Sequence, residues 1–154
     1  MALVIDQAWD LFMSQIESVN PRTNPDIKFK RHRAPVDLLS SNGAVRYFQI
    51  KIPTVLPNDF MGPRSDGVSE WYGSEQFLIK IWYPQDWVIS GDSTARGVDW
   101  IKMQDTIDLN EALCYNDFLS ALGDSYESPQ FKGAYQEGLL WVLQYRFVWQ
   151  ELFS

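Results

Sequence analysis

From Leu139 to Trp149 the chain alternates. Leu139, Trp141, Leu143, Tyr145, Phe147 and Trp149 share one parity, and Leu140, Val142, Gln144, Arg146, Val148 and Gln150 share the other. Side chains on a strand point to opposite faces in turn, so this run predicts a long strand over 139–149 with one aromatic and one mixed face. Its counterpart near the start is helical. Val4, Ile5, Ala8, Leu11, Phe12, Ile16 and Val19 recur every three or four residues, the spacing of an apolar stripe on a helix over 4–19. Asn20-Pro21 closes that stripe, because a residue before proline avoids helical geometry.

Between these ends the pattern is uneven. Ile27 and Phe29 alternate with Lys28 and Lys30 and predict a short strand with one polar face that ends before Pro35. Asn42-Gly43 is a hairpin-turn signal. Beyond it Phe48, Ile50 and Ile52 alternate with Tyr47, Gln49 and Lys51, a strand over 47–52 stopped by Pro53. Glu75 to Tyr83 is the next, with Phe77, Ile79, Ile81 and Tyr83 on one parity and Pro84 at its end. Ser90-Gly91-Asp92-Ser93 reads as a turn. The stretch from Gly97 to Thr106 fits helix and strand equally. Asp108 followed by Glu111 has the spacing of a capping box ahead of Leu109, Ala112, Leu113, Leu119 and Leu122, which predicts a second helix over 109–122 that stops at Gly123. Residues 123–138 read as a loop with a short strand around Phe131. The expectation is an α+β fold in one domain spanning 1–154, a mainly antiparallel sheet with the N-terminal helix and the second helix packed on it.

Pro53 to Ser74 holds Pro57, Gly62, Pro63, Gly67 and Gly73 with little periodicity. This reads as a long loop, and loops of about twenty residues in compact domains are mostly functional or disordered. Asp59, Phe60, Met61, Trp71 and Tyr72 lie in it. Disordered spacers carry few large apolar side chains, so these residues point to a partner-contact loop.

Composition narrows the function. Aromatic residues make up 15% of the chain, with seven Trp, more than a domain of this size hides comfortably in its own core, which points to subunit contacts. The net charge of −7 argues against binding the nucleic-acid backbone. A single cysteine, Cys114, excludes an internal disulfide and, with one histidine, leaves zinc short of ligands. The first nineteen residues have no basic start and carry Asp6, Asp10 and Glu17, unlike a signal peptide. No apolar run approaches the ~20 residues needed to cross a bilayer, so no membrane role is expected. The default is a soluble chain folded in a reducing cytoplasm.

Candidate chemistry is sparse. His32 sits among Lys30, Arg31 and Arg33; a catalytic histidine needs an oriented partner and a nucleophile or substrate site, and this one reads instead as a surface histidine. Cys114 reads as a half-buried small apolar residue, since Glu111 and Asp117 are its charged neighbours. The carboxylate pairs Asp105 with Asp108 and Asp59 with Asp66 have spacings that any acidic chain offers. No glycine loop of a phosphate-binding type is present. The expectation is a protein that is not an enzyme and takes no metal or cofactor.

Charge segregation carries more information. Lys28, Lys30, Arg31 and Arg33 cluster, whereas Lys102 to Lys132 encloses no Lys or Arg but holds Asp105, Asp108, Glu111, Asp117, Asp124 and Glu127. A nucleic-acid face and a solvated strand face both fit the basic cluster, yet one basic and one acidic surface on a subunit suit head-to-tail association best.

The element order, with Glu75-Gln76-Phe77-Leu78-Ile79-Lys80-Ile81-Trp82-Tyr83-Pro84 closed by proline and the aromatic run Leu140 to Trp149, resembles the tail terminator proteins of long-tailed bacteriophages. In that family a similar strand precedes the second helix and a similar aromatic strand ends the chain. Gly91 to Thr106 departs from the clean amphipathic helix that the resemblance leads one to expect, which also admits another phage neck or head-completion protein. The resemblance implies a virion protein assembled in the host cytoplasm: a homohexameric ring that caps the tail tube and joins it to neck or connector proteins. DNA passes such a ring without specific binding, and acidic lumen surfaces repel it. Two other classes are a carbohydrate-binding module stacking sugars on exposed Trp71, Trp82 and Trp87, and a small hydrolase with a carboxylate pair.

Overall fold

The computed structural model describes the backbone of residues 4–32, 45–51, 69–94, 96–123 and 126–153, and the side chains of these residues except 4–5, 69–75 and 150–153. Helix α1 spans Val4–Ser18 and helix α2 Val98–Cys114. Strands are β1 (Lys30–Arg31), β2 (Tyr47–Lys51), β3 (Ser69–Trp82), β4 (Gln130–Glu137) and β5 (Leu140–Phe153). They form one sheet in the order β1-β2-β3-β5-β4, antiparallel apart from the β1–β2 pair. The fold is α+β, as the pattern predicts.

Period two in β3 and β5 places Phe77, Ile79, Ile81, Leu143, Tyr145 and Phe147 on the helix side, all with no exposure. The stripe of α1 answers with Ala8, Phe12 and Ile16. Phe12 lies 4.9 Å from Phe77 and 5.0 Å from Phe147 between ring centroids, the latter edge-on, so three rings interlock where helix meets sheet. Each such fully buried ring contributes about 1.5–3 kcal/mol. A smaller buried cluster, Trp82, Leu140 and Val142, occupies the opposite parity of the same strands.

Three expectations change. The second helix starts eleven residues earlier than 109–122, and Asp108 and Glu111 fall in its second half, where they cap nothing. Gly97 is its N-cap residue, without a side-chain cap bond. Asp108 instead accepts a bond from the Arg22 backbone N–H at 3.0 Å and an ion pair from its Nε at 2.6 Å, and Glu111 takes the other end of the same guanidinium. Gly123 follows a short 3-10 turn, Ser120–Leu122. Next, 123–138 is not a loop around a short strand but contains all of β4, which pairs with β5 through a bulge at Lys132 between Phe131↔Tyr145 and Gly133↔Gln144. Last, the loop expected over 53–74 gives way to strand from Ser69. Gly73 and the unpatterned polar residues hide that strand from a reading of alternation, and pairing with β5 overrides them. The Asn42-Gly43 turn lies outside the described residues.

The polar centre of the fold is Arg46. It enters β2 with φ 55°, the left-handed region, and its side chain is wholly buried. Nε and one terminal nitrogen grip the Asp105 carboxylate at 2.8 and 2.7 Å. The remaining donors reach the carbonyls of Thr23, Asn24 and Ile27. Phe29 and Trp87 flank the guanidinium at 5.4 and 4.9 Å, and the Tyr83 hydroxyl donates to Asp105 at 2.7 Å. Every N–H of the guanidinium is therefore used. One side chain ties the 22–30 loop, the start of β2, the end of β3 and α2 together.

Candidate subunit-contact groove

α2 buries polar side chains and exposes apolar ones. Lys102, Asp105 and Asp108 lie on its inner side with Ile101, Leu109 and Leu113, while Trp100, Met103 and Ile107 are exposed. Exposed apolar groups gathered in one place mark contact surfaces in soluble proteins. Here they gather because β4 is an edge strand reached by α2 only at its margin, leaving a trough between helix and strand.

The trough has a volume of about 910 Å³ and is walled by Met103 and Ile107 from α2 and by Phe131, Ala134, Leu139 and Trp141 from the β4–β5 hairpin. Leu139, 56% exposed, stands at the hairpin tip beside Gly138. Asn110 and Phe131 also line a second hollow of about 610 Å³ with Cys114, Tyr115 and Glu127. The two hollows share Asn110 and Phe131; Asp99 lines the first, and the 82%-exposed Tyr115 lines the second.

Several polar groups in the lining of these hollows are hydrogen-bonded. Trp141 Nε1 donates to Thr106 Oγ1 at 3.0 Å, and that hydroxyl donates to the Lys102 carbonyl at 2.7 Å. The Tyr145 hydroxyl donates to Asn110 Oδ1, and burial pushes its ionisation well above the ordinary tyrosine range. Burial also raises the Cys114 thiol, more than its bond with the Phe131 backbone lowers it. Lys102 is the charged group. It is 5% exposed, donates to Gln136 Oε1 at 2.9 Å and lies 5.7 Å over the Trp141 ring. The carboxylate paired with it is that of Asp99, 3.9 Å away and itself almost wholly in solvent. A buried ammonium with only a neutral close acceptor and a solvated counter-charge favours a further anionic group.

The basic surface lies at the other end of the sheet. Lys28, Lys30 and Arg31 are exposed on and beside β1, which pairs with Tyr47 and Phe48 of β2. Arg31 is bonded to Glu17 of α1, so part of its charge is answered within the subunit. Arg33, Asp59, Phe60 and Met61 lie outside the described residues. Trp71 and Tyr72 do not belong to a loop: they are strand residues, in register with Glu151 and Gln150. The groove itself was not legible, since its wall comes from the misplaced helix and from a strand read as loop. The signal was the failure of 97–106 to show an amphipathic pattern.

The remaining candidates are otherwise engaged. Asp105 is held by Arg46 and Tyr83, with burial raising its carboxyl against those bonds. Asp108 is held by Arg22, so this pair is not arranged for acid–base work. Asp66, like Asp59, lies outside the described residues. Trp82 is buried and Trp87 half-buried under Arg46, so neither offers a face to a sugar. Among the described residues no group of three His, Cys, Asp or Glu side chains is placed to hold a metal, and no helix is long and apolar enough to cross a membrane. No protein-family model matches the chain, and neither does any of the curated proteins.

Proposed function

We propose that the protein is a structural subunit of a homomeric ring, six subunits round, at the tail–head junction of a long-tailed bacteriophage, of the tail terminator type. The observation that carries the reading is the placement of two unlike surfaces at opposite edges of one sheet. The β1 edge is basic, with Lys28 and Lys30 exposed; the β4 edge carries an apolar groove lined in part by Asp99, and beside it a second hollow lined in part by Glu127. Unlike patches at opposite edges pair heterologously, and a heterologous contact that closes on itself makes a ring. The resemblance of the Glu75–Pro84 and Leu140–Trp149 segments to tail terminators supplies the particle. Apolar contact provides most of the binding energy, and charge sets register and on-rate.

In this reading the ring joins the tail tube to neck or connector proteins, and DNA passes through it unbound because the subunit is acidic. The test is the mass in solution, by light scattering and native mass spectrometry, with particle images of the product. The expected result is a single closed species of six chains whose formation slows at high salt. A chain that stays monomeric at high concentration and in the assembled particle overturns the reading.

A further inference from the structure

α2 turns a polar stripe toward the groove. Lys102, Thr106 and Asn110 follow one another at four-residue spacing, so they stack on one helix face over about 12 Å. Met103 and Ile107 line the groove beside them. Thr106 is spent, because its hydroxyl accepts from Trp141 and donates to the Lys102 carbonyl. The other two keep donors in reserve. Lys102 commits one ammonium N–H to Gln136, and the Asp99 carboxylate, 3.9 Å away, is beyond hydrogen-bond reach. Asn110 accepts the Tyr145 hydroxyl through Oδ1, and no bond among the described residues uses its amide N–H groups.

The groove is walled wholly by described residues, and its volume of about 910 Å³ falls among those of small-molecule pockets, about 300–1,000 Å³. Such pockets combine an apolar wall with a few placed polar groups. Here the placed group is a cation, 5% exposed, at the wall between Gln136 and the Trp141 ring. The carboxylate in the same lining, that of Asp99, stands almost wholly in solvent, where its charge is screened. One buried cation within an apolar wall matches one anionic head on an apolar body. We infer that the groove is a binding site for a free single-chain monocarboxylate, its head on the Lys102 ammonium and its tail along Met103, Ile107 and Trp141. The site is complete within one subunit and goes beyond the ring reading. Ligand and neighbour would share the β4 edge, so binding is measured at a dilution where light scattering shows the smallest species.

The test is calorimetric titration with sodium decanoate below its micelle concentration, with tryptophan fluorescence read alongside; 1-decanol supplies the same tail without the charge. The expected result is one decanoate per chain, bound at least about tenfold more tightly than 1-decanol. Lys102→Met should abolish that preference while holding 1-decanol within about threefold of the native affinity, and Lys102→Gln replaces it if it misfolds. Ile107→Glu, at an exposed position, should weaken both ligands at least about tenfold with the far-UV spectrum unchanged; Met103→Glu serves if that chain misfolds. Decanoate held as tightly by Lys102→Met as by the native chain overturns the site. So does uptake of several molecules per chain that Ile107→Glu leaves unchanged, the mark of detergent-like adsorption. Phosphatidylglycerol vesicles that move the fluorescence where decanoate does not would make the partner a lipid surface and also overturn it. Absence of decanoate binding overturns it too, in a monomer or in a multimer that resists dilution. None of these results decides the ring reading, which stands or falls on the mass in solution.

Discussion

Arg46 and Asp105 meet through two hydrogen bonds of 2.8 and 2.7 Å, and neither side chain has any exposure to solvent. They stand far apart in sequence, one entering β2 and one in the middle of α2, so the pair fixes helix against sheet. Removing one partner strands the other charge in the interior. Arg46→Met is expected to lower unfolding stability by about 3–5 kcal/mol. The double variant Arg46→Met/Asp105→Leu should cost less than Arg46→Met alone, because no buried charge is left over. Urea unfolding of the three chains with unchanged slopes checks both statements.

The Tyr83 and Tyr145 hydroxyls are buried, and burial is the chief cause that moves both well above the ordinary tyrosine range; the Asp105 charge adds to it at Tyr83. Their neutral form is favoured by folding. That stability is fully present below about pH 10, and is lost as the pH rises above it, where the unfolded chain sheds protons that the folded chain keeps. Absorbance titration at 295 nm should show these two failing to ionise with the exposed tyrosines and then ionising together with alkaline unfolding. Tyr83→Phe and Tyr145→Phe should each remove one late-titrating group; normal ionisation of all tyrosines in the folded protein would contradict the assignment.

Cys114 lines the second hollow, and burial raises its thiol. Alkylation by iodoacetamide at pH 7.5 should therefore be slower than for a free thiol, gaining about tenfold per pH unit until the pH passes 9. In an assembled protein the same rate should fall further if this hollow is covered.

Gly138 opens the turn between β4 and β5 with φ 58°, and a Cβ there would meet nothing within 4 Å. Gly138→Ala thus tests backbone conformation without a steric clash. A cost of about 1–2 kcal/mol is expected, read as a fall in Tm of about 2–4 °C for each kcal/mol in a chain of this size. Lys132 at the bulge gives a contrasting control: Lys132→Ala should change stability by less than about 0.5 kcal/mol.

The legible parts of this fold are those whose partners are apolar and whose period is clean. Phe77, Ile79 and Ile81 announce β3, Tyr145 and Phe147 announce β5, and Phe12 and Ile16 announce the helix that covers them. α2 was obscured because Lys102 and Asp105 point inward while Met103 and Ile107 point outward, which blurs the amphipathic signal. The Asp108 and Glu111 spacing imitated a capping box, though both serve Arg22. Arg46 carried no local sign of its role, since its partners come from three separate stretches of the chain. Among the positions that break the helical pattern, Lys102, Met103 and Ile107 line the candidate groove and Asp105 binds the buried arginine.

Because β5 lies between β3 and β4, the inside of the described sheet is completed by its last strand in chain order. Trp82 must find Leu140, and Ser69 must find Phe153, before β3 has a neighbour on that side. Such distant pairings make nucleation slow, since loop closure is paid before the contacts repay it. During synthesis Phe77, Ile79 and Ile81 wait beside α1 with one flank of their strand open, a state prone to pair with the wrong chain. The rate at which the subunit becomes competent is thus governed by the arrival of β5, and its yield by how many chains meet before that strand is in place.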